Sequence, residues 1–197
     1  IERHRAEDRI RSLAFYDTLT HLPNRRMLED RMNLAMASSK RSGRHGAVMF
    51  LDLDNFKPLN DRYGHALGDL LLVEAARRLT DCVRETDTVA RFGGDEFVVM
   101  LAELDIDRGL SVGQAAQVAE KIRAALAEPY HLALRQEGAP DLQVEHCCTA
   151  SIGIALFVSH EFSHDDLLKW ADAAMYRAKD EGRNLACFHT EVTATAA

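Results

Sequence analysis

Apolar positions along the chain follow two rhythms, one continuous or alternating and one with helical spacing. Ala47-Val-Met-Phe-Leu-Asp-Leu-Asp54 is an unbroken apolar run ending in two acids, the pattern of a central strand buried on both faces. Thr88–Phe92 and Phe97–Leu101 are rich in β-branched and aromatic residues and flank Gly93-Gly94, which predicts a hairpin with the glycine pair in its tight turn. Tyr130–Arg135 reads as a strand, Val144–Val158 as one long strand or two pieces broken near Gly153, and Leu185–Phe188 as a short last strand. Helical spacing links Met27, Leu28, Met32, Leu34 and Met36 behind an Asn24 cap. The same spacing joins Leu70, Leu71, Val73, Ala76, Leu79 and Val83, and it recurs over Gln114–Leu126 and over Asp165–Lys179, which Gly182 ends. A charged helix with a thin apolar seam is expected over Ile1–Tyr16.

Turn-rich or polar stretches separate these elements: Asp17–Arg26, Ser38–Gly46, Asn55–Asp69, Glu103–Gly113 and Gly138–Asp141. The order α-α-β-α-β-β-α-β-β-α-β with at least one tight hairpin predicts an α/β protein of the α+β type. Its central sheet, of about five strands, should be mostly antiparallel or mixed and flanked by helices. Expected boundaries are a linking helix over 1–16, one domain over 17–189 and a small-residue tail over 190–197.

The 197 residues, 47% hydrophobic and 28% charged, suit a single well-packed domain. A formal net charge of −7 speaks against a nucleic-acid polymer as partner, which calls for a basic face. It leaves room for a nucleotide site in which a metal bridges carboxylates and phosphates. Cys82, Cys147, Cys148 and Cys187 form no C-x-x-C pair, so a reduced, cytoplasmic setting is expected. His160 and His164 have a spacing that a metal can use, but the surrounding sequence supplies no supporting motif. No apolar run has the length of a membrane span and no signal peptide stands at the start. The abrupt charged opening is expected to belong to a fragment of a larger multidomain signalling protein.

Candidate chemistry collects at two places. Asp52 and Asp54 end the buried run on one face, a costly position for ions that are neither paired nor metal-bound. Asp95 and Glu96 follow the hairpin glycines and are expected to point to opposite sides. If the two strands pair, Asp52 and Asp95 with a backbone carbonyl suit Mg²⁺, which takes oxygen ligands and keeps positions for water and phosphate. The chain has no GxxxxGK[ST] and no GxGxxG, so other means must hold a nucleotide.

Arg91-Phe-Gly-Gly-Asp-Glu-Phe97 resembles the signature of the GGDEF domains, the diguanylate cyclases that join two GTP into cyclic di-GMP. Four further stretches resemble that family in the right order. They are Asp17–Arg25, with His21 where glycine is usual, Asp52–Asp61 followed by Gly64–Asp69, Ser151–Gly153, and Ala171–Asn184. The resemblance implies a nucleotidyl-cyclase or polymerase-palm-like fold. It implies that Asp52, the Leu53 carbonyl and Asp95 hold Mg²⁺ or Mn²⁺, with Glu96 assisting the metal or the proton transfer. It further implies that Asn60 and Asp69 read guanine and that Lys57, Lys179 and Arg183 hold phosphates, the last two on one helical face. Phe56 lines the substrate site, and Gly93 and Gly94 let backbone approach the nucleotide. Each domain holds one GTP, so a homodimer is implied. Arg84 and Asp87, placed as R-x-x-D before the hairpin, resemble the family's site of inhibition by cyclic di-GMP. A non-catalytic GTP- or cyclic-di-GMP-binding module, attached to a phosphodiesterase domain, stays open beside the active cyclase. A polymerase-like nucleic-acid enzyme with a similar two-acid site would need a basic track, which the sequence lacks.

Overall fold

The computed structural model describes residues 14–135, 138, 140–159 and 162–190. The expected first helix lies outside the described residues apart from its end, as do the tail beyond Thr190 and His160. The elements are α1 (Arg25–Ser42), β1 (Gly46–Asp54), α2 (Phe56–Tyr63), α3 (His65–Cys82), β2 (Thr88–Gly93), β3 (Glu96–Leu101), α4 (Arg108–Ala127), β4 (Tyr130–Leu134), β5 (Leu142–His146), β6 (Thr149–Phe157), α5 (His164–Asp180) and β7 (Ala186–Phe188).

Five strands form one sheet in the order β2-β3-β1-β6-β7, antiparallel except for the β6–β7 pair, and β4-β5 form a separate hairpin. The sheet is therefore mixed, as the element order predicts. β1 is its middle strand, and its two faces feed two cores. Ala47, Met49, Leu51 and Leu53 pack against apolar residues of α3 and α4, including Leu71, Ala75, Ala119 and Ile122. Val48 and Phe50 meet Leu28, Met32 and Met36 of α1 and Leu167, Ala171 and Met175 of α5. Burying both faces explains why the run reads as continuously apolar.

α1 starts at the Asn24 cap, whose side chain accepts from the Met27 amide at 3.1 Å. Its buried stripe is Leu28, Met32 and Met36, while Leu34 is 71% exposed and does not belong to it. The stretch after β1 is helical from Phe56, not a loop. Phe56 and Leu59 bury one side of α2, and Gly64 at φ +84° turns the chain straight into α3. α4 begins at Arg108, six residues before Gln114, because the Asp107 side chain caps the Leu110 amide and the buried Ser111 hydroxyl bonds the Asp105 and Asp107 carbonyls. The break in the Val144–Val158 run falls at Cys147-Cys148. Gly153 lies inside β6, where a Cβ would come within 1.9 Å of the Ala171 carbonyl oxygen and 2.2 Å of the Met175 nitrogen. That glycine is a close-approach site for α5, not a strand breaker.

Candidate active site

β1 and β3 carry the acids to one end of the sheet. Asp52 stands opposite Glu96 on one side and Ser151 on the other, so Glu96 shares the Asp52 face. Gly93 pairs with Glu96, and the two turn residues are Gly94, at φ +51°, and Asp95. The glycine pair therefore does not form the turn, and strand alternation does not apply to Asp95. The Asp95 carbonyl accepts from the Leu53 amide at 3.3 Å, which ties the turn to the end of β1. A register shift around Phe92 lets its ring meet Phe50 edge-on at 5.1 Å.

Lys179 reaches this end from α5, its Nζ 2.9 Å from Asp52 Oδ1. Burial raises the Asp52 carboxyl above the usual range; Lys179 opposes the shift, while Asp95 and Asp54 add to it. Glu96 is raised by burial and by the charges of Asp52, Asp172 and Asp95. Asp172 of α5 is raised by burial, with Lys179 opposing. Asp52, Glu96 and Asp172 thus share one ammonium, that of Lys179, while Asp95 and Asp54 add negative charge beside Asp52. All-oxygen donors with a surplus of negative charge fit a hard divalent cation. Asp54 is 2% exposed and accepts from Thr149 Oγ1, Ser151 Oγ and the Asn184 amide.

Arg91 couples the N-terminal loop to the turn. Its guanidinium donates to both Asp17 oxygens at 3.1 and 3.2 Å and to the Gly94 carbonyl at 3.0 and 2.7 Å. Burial works against the charge of Asp17, but Thr20 and Arg91 outweigh it and hold that carboxyl below its ordinary value. His21 sits in this loop at φ +59°, the left-handed conformation that explains a preference for glycine there.

Phe56 and Asn60 of α2 lie against Gly68 of α3. A Cβ on Gly68 would fall 1.9 Å from Asn60 Oδ1, a buried acceptor with no hydrogen-bond partner among the described residues. Asp69 and Lys57 are exposed on α3 and α2. Gly93 has no left-handed φ, and a Cβ there would meet no atom within 4 Å, so the fold itself does not demand glycine at this position. Lys179 and Arg183 do not share a helical face. α5 ends at Asp180, Gly182 turns at φ +124°, and Arg183 and Asn184 are both left-handed, at φ +64° and +50°.

Arg84 and Asp87 lie a strand's length from the turn, roughly 20 Å at about 3.3 Å per residue. The Asp87 carboxylate accepts from the Arg84 and Ala102 amides at 3.0 and 3.2 Å, and the Arg84 residue is exposed. Both line a cleft of about 310 Å³ with Gln114, Gln117 and Lys121.

Residues 14–185 match the family described as "Diguanylate cyclase, GGDEF domain". The chain belongs to the GGDEF family. It is 44% identical over 184 residues to the bifunctional diguanylate cyclase/cyclic di-GMP phosphodiesterase MucR of Pseudomonas aeruginosa, covering 93% of this chain and 25% of MucR. The chain thus spans a quarter of that relative's length. The solved GGDEF domain of PA1120 (YfiN or TpbB) from Pseudomonas aeruginosa is similar at TM-score 0.75 and 39% identity, over 87% of this chain and 98% of that one. The coiled coil and GGDEF domain of DgcB from Caulobacter crescentus, solved in complex with c-di-GMP, matches at TM-score 0.78 and 29% identity, over 95% of this chain and 92% of that one.

Within this GGDEF domain, sequence reading assigned no role to Asp172, Asp17 or Arg91, although all three stand inside the matched motifs. The signal for Asp172 was its spacing of seven residues from Lys179, two helical turns on one face of α5. A second cluster, Glu29, His164 and Asp165, brings ligand atoms within 4.8 Å of one another. Arg25 already pairs with Glu29 at 2.9 Å, and the first turn of α5 is a positive dipole end, so a cation gains little there.

Proposed function

We propose that this GGDEF domain is a diguanylate cyclase that condenses two GTP into cyclic di-GMP with release of two pyrophosphates. The observation that carries the reading is the crowd of carboxylates at the end of β1, with raised values at Asp52 and Glu96, beside a glycine at 93 that the fold does not need. Asp52, Asp95 and the Leu53 carbonyl would hold Mg²⁺ or Mn²⁺, which, when bound, neutralises charge developing on the α-phosphate. Asp69 accepts from the guanine N1–H and amino group, and Asn60, with its orphaned buried oxygen, meets the same polar edge. Phe56, packed beside Asn60 against Gly68, backs that edge. Lys57, Lys179 and Arg183 hold the phosphates as charged donors. Glu96, with its raised carboxyl, suits the task of taking the proton from the attacking 3′-hydroxyl.

Each domain offers one such site, so two copies face each other as a homodimer and each supplies one GTP. Cyclic di-GMP, held at Arg84 and Asp87, inhibits from a distance. The cytoplasm, where GTP is available, is the setting, and the domain works within a longer signalling protein. A second reading keeps nucleotide binding without chemistry, as a regulatory module; what favours it is that PdeR of Escherichia coli, 35% identical over 191 residues, is named only as a cyclic di-GMP phosphodiesterase.

Calorimetry with GTP and Mg²⁺ on wild type and Glu96→Gln separates the two. The cyclase reading expects equal GTP binding and a turnover loss of about 10²-fold or more in the variant. Turnover that is absent from wild type while GTP still binds would establish the regulatory reading instead.

A further inference from the structure

Asp54 is a buried carboxylate whose side-chain hydrogen-bond partners among the described residues are all neutral, and the chemistry proposed for the domain does not use it. Three neutral donors satisfy it: the Thr149 and Ser151 hydroxyls, each at 2.7 Å, and the Asn184 amide at 3.1 Å. The first two lie on β6, its sheet neighbour. The third belongs to the turn between α5 and β7, where Arg183 and Asn184 are consecutive non-glycine residues in the left-handed region. Such residues are strained and persist where the surroundings over-determine them. Here a second clamp is visible. Arg123 Nη1 of α4 donates to Asn184 Oδ1 at 2.8 Å, and Glu120 holds the same guanidinium at 2.6 and 2.8 Å. Asn184 is thus gripped by its backbone from β1 and by its side chain from α4, and Arg183 precedes it.

We infer that Asp54, Asn184 and Arg123 form a positioning unit that fixes Arg183 relative to Asp52, so that the phosphate-binding arginine and the metal-binding acid keep one register. The inference rests on the nucleotide reading above. Asp52 and Asp54 stand on the same face of one strand, and Lys179 stands on the helix that leads into the clamped turn. A shift of the turn would carry Arg183 away while leaving the acids and the guanine side in place. None of the three positioning residues needs to touch the substrate.

The test compares GTP with GMP, which lacks the β- and γ-phosphates, as ligands of wild type, Arg123→Ala, Asn184→Gly and Asp54→Asn, with Mg²⁺ throughout. Arg123 is part-exposed and the glycine relieves the left-handed backbone, so both of those variants keep a folded protein to measure even where Asp54→Asn does not. Wild type should prefer GTP, and the variants should lose roughly three- to tenfold of GTP affinity with GMP affinity unchanged, about 0.7–1.4 kcal/mol of selectivity. Combining Arg123→Ala with Arg183→Ala should add little to the loss of Arg183→Ala alone. Equal losses for both nucleotides, or additive losses in the double variant, would overturn the positioning role. A wild-type chain that shows no preference for GTP would overturn the nucleotide reading itself.

Discussion

His21 illustrates how one side chain departs from a family pattern at a measurable expense. It holds φ +59° in the loop that Asp17 and Arg91 organise. A left-handed L-residue costs about 1–2 kcal/mol, and the freer unfolded chain of a glycine returns about 0.5–1 of that. Denaturant unfolding should therefore find His21→Gly more stable by about 0.5 kcal/mol, with turnover unchanged; a loss of stability would mean that the imidazole makes a contact worth more than the strain. Asp52 illustrates the opposite sign. Its carboxyl is raised by burial and by Asp95 and Asp54, so the folded state holds the proton more tightly than the unfolded chain does. Stability then falls as pH rises from the ordinary carboxylate value through the raised one. At neutral pH without metal, Asp52→Asn should raise the melting temperature by about 2–4 °C per kcal/mol relieved, and Mg²⁺ should stabilise wild type but not this variant. A lower melting temperature in metal-free Asp52→Asn would show that the Lys179 pair outweighs the crowding. Gly93→Ala should leave stability within about 0.5 kcal/mol of wild type, since the position has open space and ordinary φ, and should weaken GTP binding. Unaltered binding would remove Gly93 from the site.

At the scale of elements, the apolar rhythm of β1 and the Asn24 cap of α1 were legible because burial on both faces and a side-chain cap each leave a local mark. The helix at Phe56–Tyr63 was not: its buried residues are few, its proline and polar residues look like a loop, and tertiary packing under Gly68 decides it. The start of α4 hid behind Gly109 and Ser111, because the Asp107 cap and the Ser111 hydroxyl bonds that set it leave no apolar rhythm. Asp52, Asp95 and Glu96 could be named from their motif, but their relation depended on a turn at Gly94-Asp95 that the glycine pair obscured. The clamped turn after α5 was invisible, because a helical face drawn through Lys179 and Arg183 takes no account of the left-handed residues that break it. Gly153 makes the packing of α5 testable. Gly153→Ala drives a methyl into the Ala171 and Met175 backbone, so calorimetry should find a loss of about 1–3 kcal/mol or more, together with a displaced Lys179 and weaker GTP binding. A variant as stable as wild type would show that α5 can lift from β6 without strain.

For the molecule as a whole, the mixed five-stranded sheet brings one acid-rich end together from β1, the β2–β3 turn and α5. Under the cyclase reading that end serves one substrate, whereas the proposed product contains two nucleotides. Specific turnover should therefore rise with protein concentration until the dimer is saturated, and progress curves should slow as cyclic di-GMP accumulates at Arg84 and Asp87. The most direct test counts products. Purified chain at a concentration where it is dimeric, supplied with GTP and Mg²⁺, should release two pyrophosphates for each cyclic di-GMP formed, and Asp95→Asn should release neither. A dimeric wild-type sample that binds GTP and yields no cyclic di-GMP would contradict the account.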